Sequence, residues 1–115
     1  MKNSARFTAQ AGRITLEARI IRVGADAQCL LCGGDAHIGA VALARPGGGQ
    51  SLCLPGHREG GTALRMARTL AQSLGRAVCV SAGIHYDGIT REEIADVENL
   101  ADELTEKCLD FLARS

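Results

Sequence analysis

Ile14, Leu16, Ala18 and Ile20 alternate with Arg13, Thr15, Glu17 and Arg19, the period of two that predicts a strand with one buried face. Residues 7–11 precede this strand across Gly12 and are expected to pair with it as a hairpin, and Gly24-Ala25-Asp26 turns the chain into a third strand over 27–32. A fourth strand is expected over 37–44 and a short fifth over 50–54, separated by the loop Arg45-Pro46-Gly47-Gly48-Gly49. That glycine run is no phosphate-binding motif, because no helix follows it. Beyond it the period changes: Ala63, Ala67, Leu70, Ala71 and Leu74 recur at helical spacing within 59–75, and Gly75 supplies a stop. An apolar strand over 77–82 ends at Gly83, and Thr90-Arg91-Glu92-Glu93 forms a capping box that opens a second helix. The apolar seam of that helix is Ile94, Val97, Ala101, Leu104, Cys108 and Phe111. Packing on the sheet is the expected use of the seam ahead of pairing with a symmetry mate, since any helix in a single domain must bury a face. The order predicts an α+β fold: a five-strand meander, then helix, strand and helix, with a mostly antiparallel sheet carrying both helices.

The 115 residues suit a single domain over 1–115. Thirteen basic and thirteen acidic residues cancel, and no basic stripe with interleaved aromatics marks a nucleic-acid footprint. The opening Met1-Lys2-Asn3-Ser4-Ala5-Arg6 has no apolar signal core, and no apolar run approaches the roughly 20 residues of a membrane span. A cytoplasmic protein without nucleic-acid or membrane partners is expected. Five cysteines, an odd number, argue for reduced thiols in such a setting. Cys29-Leu30-Leu31-Cys32 has the spacing of a redox or zinc knuckle, but on a strand the two thiols face opposite sides of the sheet. Cys29, Cys53, Cys79 and Cys108 are therefore expected to act as small buried hydrophobes, with Cys32, beside Gly33, the exception.

The three histidines each fall in a glycine-punctuated segment at a strand end: Gly33-Gly34-Asp35-Ala36-His37-Ile38-Gly39, Pro55-Gly56-His57-Arg58-Glu59-Gly60-Gly61 and Gly83-Ile84-His85-Tyr86-Asp87-Gly88. If the third strand runs up, the fourth runs down, the fifth up, the first helix down and the sixth strand up. His37, His57 and His85 then share the upper rim with Asp35, Glu59, Asp87, Tyr86 and both helix N-termini. A lone loop histidine is more often a satisfied turn residue, but three on one rim favour a site. Three imidazoles would leave a metal with open positions, and nitrogen ligands suit zinc, iron or copper better than magnesium. Gly60, Gly61 and Thr62 begin the first helix beside Arg58, where backbone NH groups could hold a phosphate.

These residues carry a resemblance. Gly34-Asp35-Ala36-His37-Ile38-Gly39-Ala40-Val41, Gly56-His57-Arg58-Glu59 and Ser81-Ala82-Gly83-Ile84-His85-Tyr86-Asp87-Gly88-Ile89-Thr90 resemble the small D subunit that accompanies bacterial hydroxyarylic-acid decarboxylases of the gallate and vanillate type. The resemblance covers most of the chain. It implies a fold similar to that of proteasome assembly chaperones, and a chaperone that holds prenylated flavin mononucleotide and helps it mature or reach the large decarboxylase subunit. It also implies a non-catalytic accessory role, with His37, His57 and His85 forming the site and Asp35, Glu59 and Asp87 orienting them through their carboxylates; a transition metal such as iron or zinc is the ion those histidines would take. Asp35, His37, Arg58, Glu59, Gly60, Gly61, Thr62, Tyr86 and Asp87 would surround the flavin. Aromatics are scarce, only Phe7, Tyr86 and Phe111, which favours a transient holder over a flavoenzyme. A large ligand on so small a domain also calls for a second surface, and hence a homo-oligomer. Two further functions fit the residues: a small three-histidine metal-dependent enzyme, and a protein assembly module without a cofactor.

Overall fold

The structure is a computed structural model that describes residues 2–114. Its strands are β1 (Ser4–Ala11), β2 (Ile14–Val23), β3 (Asp26–Gly34), β4 (Ala40–Arg45), β5 (Gly48–Cys53) and β6 (Val78–His85), and its helices are α1 (Gly60–Leu74) and α2 (Arg91–Ala113). The expected α+β class and element order hold. The strands form one sheet in the order β1-β2-β3-β6-β4-β5. β6 thus enters between β3 and β4, parallel to β3 and antiparallel to β4, so the meander is a three-strand unit and a hairpin joined by the last strand. The up and down directions traced from the sequence survive, because β3, β5 and β6 all run the same way.

Alternation along the strands decides the layers. Ile14, Leu16, Ala18 and Ile20 of β2, Cys29 and Leu31 of β3, and Val78, Val80 and Ala82 of β6 are buried on one face. That face meets Met66, Leu70 and Ala71 of α1 and Val97, Leu104 and Cys108 of α2. Each large aliphatic side chain so buried contributes about 1.5–3 kcal/mol relative to exposure. α1 lies over β4, β5 and β6, while α2 lies over β1 and β2 and packs on α1. The seam of α2 is therefore spent on the sheet, except that Ile94 remains half exposed. The opposite face of the sheet has no second layer, and the molecule measures only 19 Å along its shortest axis.

Local signals act as expected at the helix ends. Thr90 Oγ1 accepts from Glu93 N at 3.1 Å while Glu93 Oε1 accepts from Thr90 N at 3.0 Å, closing the capping box. Gly75 ends α1 in the left-handed region, with φ of 68°. The glycine run after β4 is shorter than expected: Pro46 and Gly47 make a two-residue turn, and Gly48 already pairs with Arg45. The fourth strand also starts later, at Ala40 rather than residue 37, because residues 36–39 must cross the end of β6 before they can pair. Among the cysteines, Cys29 and Cys108 are buried and Cys79 is half-buried, but Cys53 is exposed. It lies at the end of β5, the edge strand, which has no strand neighbour on its outer side.

Candidate functional site

The crossing of residues 36–39 over β6 builds the centre of the rim. A Cβ added at Gly83 would stand 1.7 Å from the His37 carbonyl oxygen and 3.1 Å from the His37 ring, so only glycine lets the crossing segment lie on the strand. Gly39 donates its NH to the Ala82 carbonyl at 2.8 Å and accepts from Leu54 N at 2.8 Å, which ties the segment to β6 and to the end of β5. A Cβ on Gly39 would fall 2.2 Å from Glu59 Oε2 and 2.5 Å from His57 Nδ1. The space a side chain would take at this position is filled by the carboxylate and the imidazole.

His37, His57 and Glu59 offer ligand atoms that all lie within 4.8 Å of one another. The two rings have centroids 5.0 Å apart. His37 Nε2 is 3.4 Å from Glu59 Oε1, and His57 Nδ1 is 3.6 Å from Glu59 Oε2. His37 Nδ1 lies 2.8 Å from the carbonyl oxygen of Asp35; a carbonyl can only accept, so Nδ1 carries the proton and Nε2 turns toward Glu59. His37 Nε2 and Glu59 Oε2 are buried and make no hydrogen bond. An imidazole lone pair facing a carboxylate in a buried place repels it unless a cation, either a proton or a metal ion, lies between them. Asp35 does assist His37, but through its main-chain carbonyl rather than its carboxylate.

His85 stands outside this group. Its Nε2 is 2.9 Å from Asp87 Oδ1, and both side chains are largely exposed. The sequence placed all three histidines on one rim; the structure brings two of them together and supplies Glu59 as the third donor. Tyr86 is anchored, with its hydroxyl donating to Thr15 O at 2.7 Å and accepting from Thr15 N at 2.8 Å. Arg13 fastens the same corner through Glu93, at 2.7 Å, and the Asp87 carbonyl, at 2.8 Å.

Between the histidine pair and α2 lies a cleft of about 460 Å³ lined by Arg58, Glu59, Thr62, His85 and Tyr86, with Ile84, Ile89, Ile94 and Val97 as apolar surface. Its volume is that of a small-molecule site. Glu59 is the N-cap of α1 yet makes no side-chain capping bond, since its carboxylate is turned to the histidines. The first-turn NH groups at Gly60, Gly61 and Thr62 thus lack a side-chain cap, at the positive end of a 15-residue helix. Arg58 beside them makes no ion pair among the described residues. The Thr62 hydroxyl donates to Glu98 Oε1 at 2.6 Å, while Glu98 Oε2 is paired with Arg65.

Arg58, Glu59, Thr62, Tyr86 and His85 were thus named by the sequence and share this cleft. Ile84, Ile89, Ile94, Val97 and Glu98 were not named as site residues. Ile94 and Val97 read as core-facing seam positions, and only the placement of α2 beside α1 turns them to the cleft.

A family model described as the prenylated flavin chaperone LpdD-like domain matches residues 10–113. Among the curated proteins no sequence matches. Among solved structures, a chain from the crystal structure of a novel chaperone complex for yeast 20S proteasome assembly aligns with a TM-score of 0.59 at 12% identity, covering 96% of each chain. At that identity the likeness is one of fold. It agrees with the similarity to proteasome assembly chaperones implied above.

Proposed function

The chain belongs to the prenylated flavin chaperone LpdD-like domain family, and on that premise we propose that the cleft between α1, β6 and α2 holds prenylated flavin mononucleotide for maturation or delivery to a decarboxylase acting on hydroxyarylic acids. The observation that carries this reading is the coincidence of an apolar wall, an uncapped helix N-terminus and an unpaired arginine in one ligand-sized space. The phosphate would sit at Gly60, Gly61 and Thr62 with Arg58 as counter-charge. The ring system would lie on Ile84, Ile89, Ile94 and Val97, with His85, Asp87 and the fixed ring of Tyr86 at its margin. Aliphatic contacts hold a flavin without the tight stacking of a flavoenzyme, which suits a protein that must let its ligand go. The modified flavin supplies its chemistry on the decarboxylase; the residues here bind, orient and release it.

The His37, His57 and Glu59 group belongs to the same reading as a metal site. Two nitrogens and one carboxylate oxygen, with buried polar atoms that nothing else satisfies, suit zinc or iron. His85 would then serve the flavin side of the rim rather than the ion. No helix among the described residues is long and apolar enough to cross a membrane, and the reading places the protein in the cytoplasm with its decarboxylase. Homo-oligomerisation completes it, because one cleft of this size leaves part of a prenylated flavin in water.

The test is to produce the protein together with a flavin prenyltransferase, purify it without a histidine tag, and measure absorbance, intact mass and metal content. Bound prenylated flavin at near one per chain is expected, with Arg58→Glu weakening retention at least ~10-fold by setting like charge against the phosphate. Folded protein that emerges free of flavin, or an Arg58→Glu variant that retains it fully, would overturn the placement.

A further inference from the structure

The edge of the sheet formed by β1 runs beside α2. Asn3 O accepts from Arg22 N at 2.7 Å, and from that bond the antiparallel ladder turns the main-chain groups of Ser4, Arg6, Thr8 and Gln10 outward, away from β2. An open edge is a template for another strand, and proteins ordinarily cover it. The upper half of β1 is covered: Lys107 Nζ stands 3.5 Å from the Thr8 carbonyl oxygen, and Gln10 folds its side-chain amide onto Gly12 O at 3.0 Å. The lower half is left open. Arg6 turns to Glu17 on the open face, at 2.8 Å, and among the described residues nothing hydrogen-bonds the outward main-chain groups of Ser4 and Arg6.

Along that lower half runs a groove of about 690 Å³. It straddles the edge: Arg6 reaches it from the open face, and Phe7, together with Phe111 of α2, from the helix face. Its charged side chains are Lys2, Arg6, Arg22 and Arg114, and no acidic side chain lines it. Arg22 is held in place by donating to the carbonyls of Lys2, at 3.1 Å, Phe111, at 2.7 Å, and Arg114, at 2.8 Å, with its guanidinium 4.6 Å from the centre of the Phe111 ring. These partners are neutral, and among the described residues Lys2, Arg22 and Arg114 form no ion pair. Glu17 alone answers both Arg6 and Arg19. The groove is therefore electropositive on a chain of zero formal charge. We propose that it takes an extended segment of a partner protein as an added strand along β1, with acidic and apolar side chains in alternation. The main-chain groups of Ser4 and Arg6 would supply the ladder. Successive residues of a strand face opposite sides, so those on the open side would meet Arg6 and those on the helix side Phe7 and Phe111, while carboxylates at the lower end would meet Arg22 and Arg114. Pairing groups at strand spacing favour a peptide over a nucleic acid, whose bases would need rings to stack on in succession. Ser4 begins β1 at the end of the sheet opposite the histidine rim, so a docked segment tethers the protein and leaves the cleft open.

The groove stands apart from the flavin reading, and the experiment uses protein without flavin. The probe is a fluorescein-labelled octapeptide of alternating glutamate and valine, titrated with the full chain and followed by anisotropy. A dissociation constant below about 100 µM at low salt is expected, weakened at least ~10-fold at about 0.5 M salt and at least ~10-fold by Arg6→Glu. Arg114→Glu provides a second disruption should Arg6→Glu fail to fold, and Arg91→Glu, the same charge change at the upper rim, should leave the affinity unaltered. In amide NMR spectra the peptide should shift Ser4, Arg6 and Phe7 more than any residue of the rim. A glutamate and proline octapeptide of equal charge, which cannot extend a ladder, should bind at least ~10-fold more weakly, and so should an oligothymidylate of the same length. Folded protein that does not bind the glutamate and valine peptide would overturn the proposal. So would proline peptide or oligonucleotide that binds as tightly, shifts centred away from β1, a folded Arg6→Glu or Arg114→Glu variant with wild-type affinity, or an Arg91→Glu variant weakened as much.

Discussion

Glu59 is the residue on which the rim turns. As N-cap it would ordinarily bond the first NH groups of α1, but it leaves them free and directs both oxygens to His37 and His57. On the proposed reading, one side chain would thereby serve both a cation site with the two histidines and an uncapped helix N-terminus open to an anion. Gly39 guards the arrangement, since a methyl group there would overlap the Glu59 and His57 atoms. Gly39→Ala is therefore expected to keep the fold but push the donors apart and weaken zinc or cobalt binding ~10- to 100-fold, the range for displacing a supporting contact of a metal site. Cobalt titration followed by absorbance checks it, and an unaltered spectrum and affinity would remove the metal role from this cluster. The histidine segments and Glu59 were legible in the sequence because glycines and strand ends mark them. That Glu59 would be a donor equal to the histidines, and that Asp35 would act through its carbonyl, depended on how the chain crosses β6, which no local pattern records.

The elements themselves follow from local rules to within a few residues, because alternation, helical spacing and caps act over one or two turns. The start of α2 shows how much a cap can carry. Glu93 closes the box with Thr90 and also accepts from Arg13, across from the β1–β2 turn, at 2.7 and 3.0 Å. The Arg13 hydrogen bond, followed by the Thr90 backbone NH, lowers the Glu93 carboxyl from its ordinary 4.5 to about 2. A depressed carboxyl stabilises the fold above its unfolded value and ceases to do so as pH falls through its folded value. Glu93→Gln keeps the capping geometry but loses the charge. The stability difference between wild type and this variant should be constant above about pH 5 and vanish as pH falls from 4.5 toward 2. Denaturant titrations over that interval check it, and a difference that persists at the acid end would mean the charge is not its source.

At the scale of the whole molecule, one strand joins what the sequence order keeps apart. α2 lies over β1 and β2, α1 over β4, β5 and β6, and β6 is hydrogen-bonded both to the β1-β2-β3 unit and to the β4-β5 hairpin. The sequence could not place it, because a parallel partner reached through a helix leaves no mark in the hydrophobic period of either strand. Only the directions were legible, and they sufficed to put the right strand ends on one rim. The consequence is cooperative: Val80 is fully buried, opposite Cys29 on one side and Ala42 on the other, so neither set can open without exposing it. Small single domains unfold in one step, and here β6 is the reason. In native-state hydrogen exchange the amides of β3 and β6 should therefore exchange only through global unfolding, while the outer edge of β5 exchanges through local opening. Val80→Ala should lower the protection of β2 and β4 by the same free energy, about 1–3 kcal/mol from the lost methyl groups and the cavity they leave. If the variant loosens one set and leaves the other at wild-type protection, the molecule is two units in contact and not one sheet closed by its last strand.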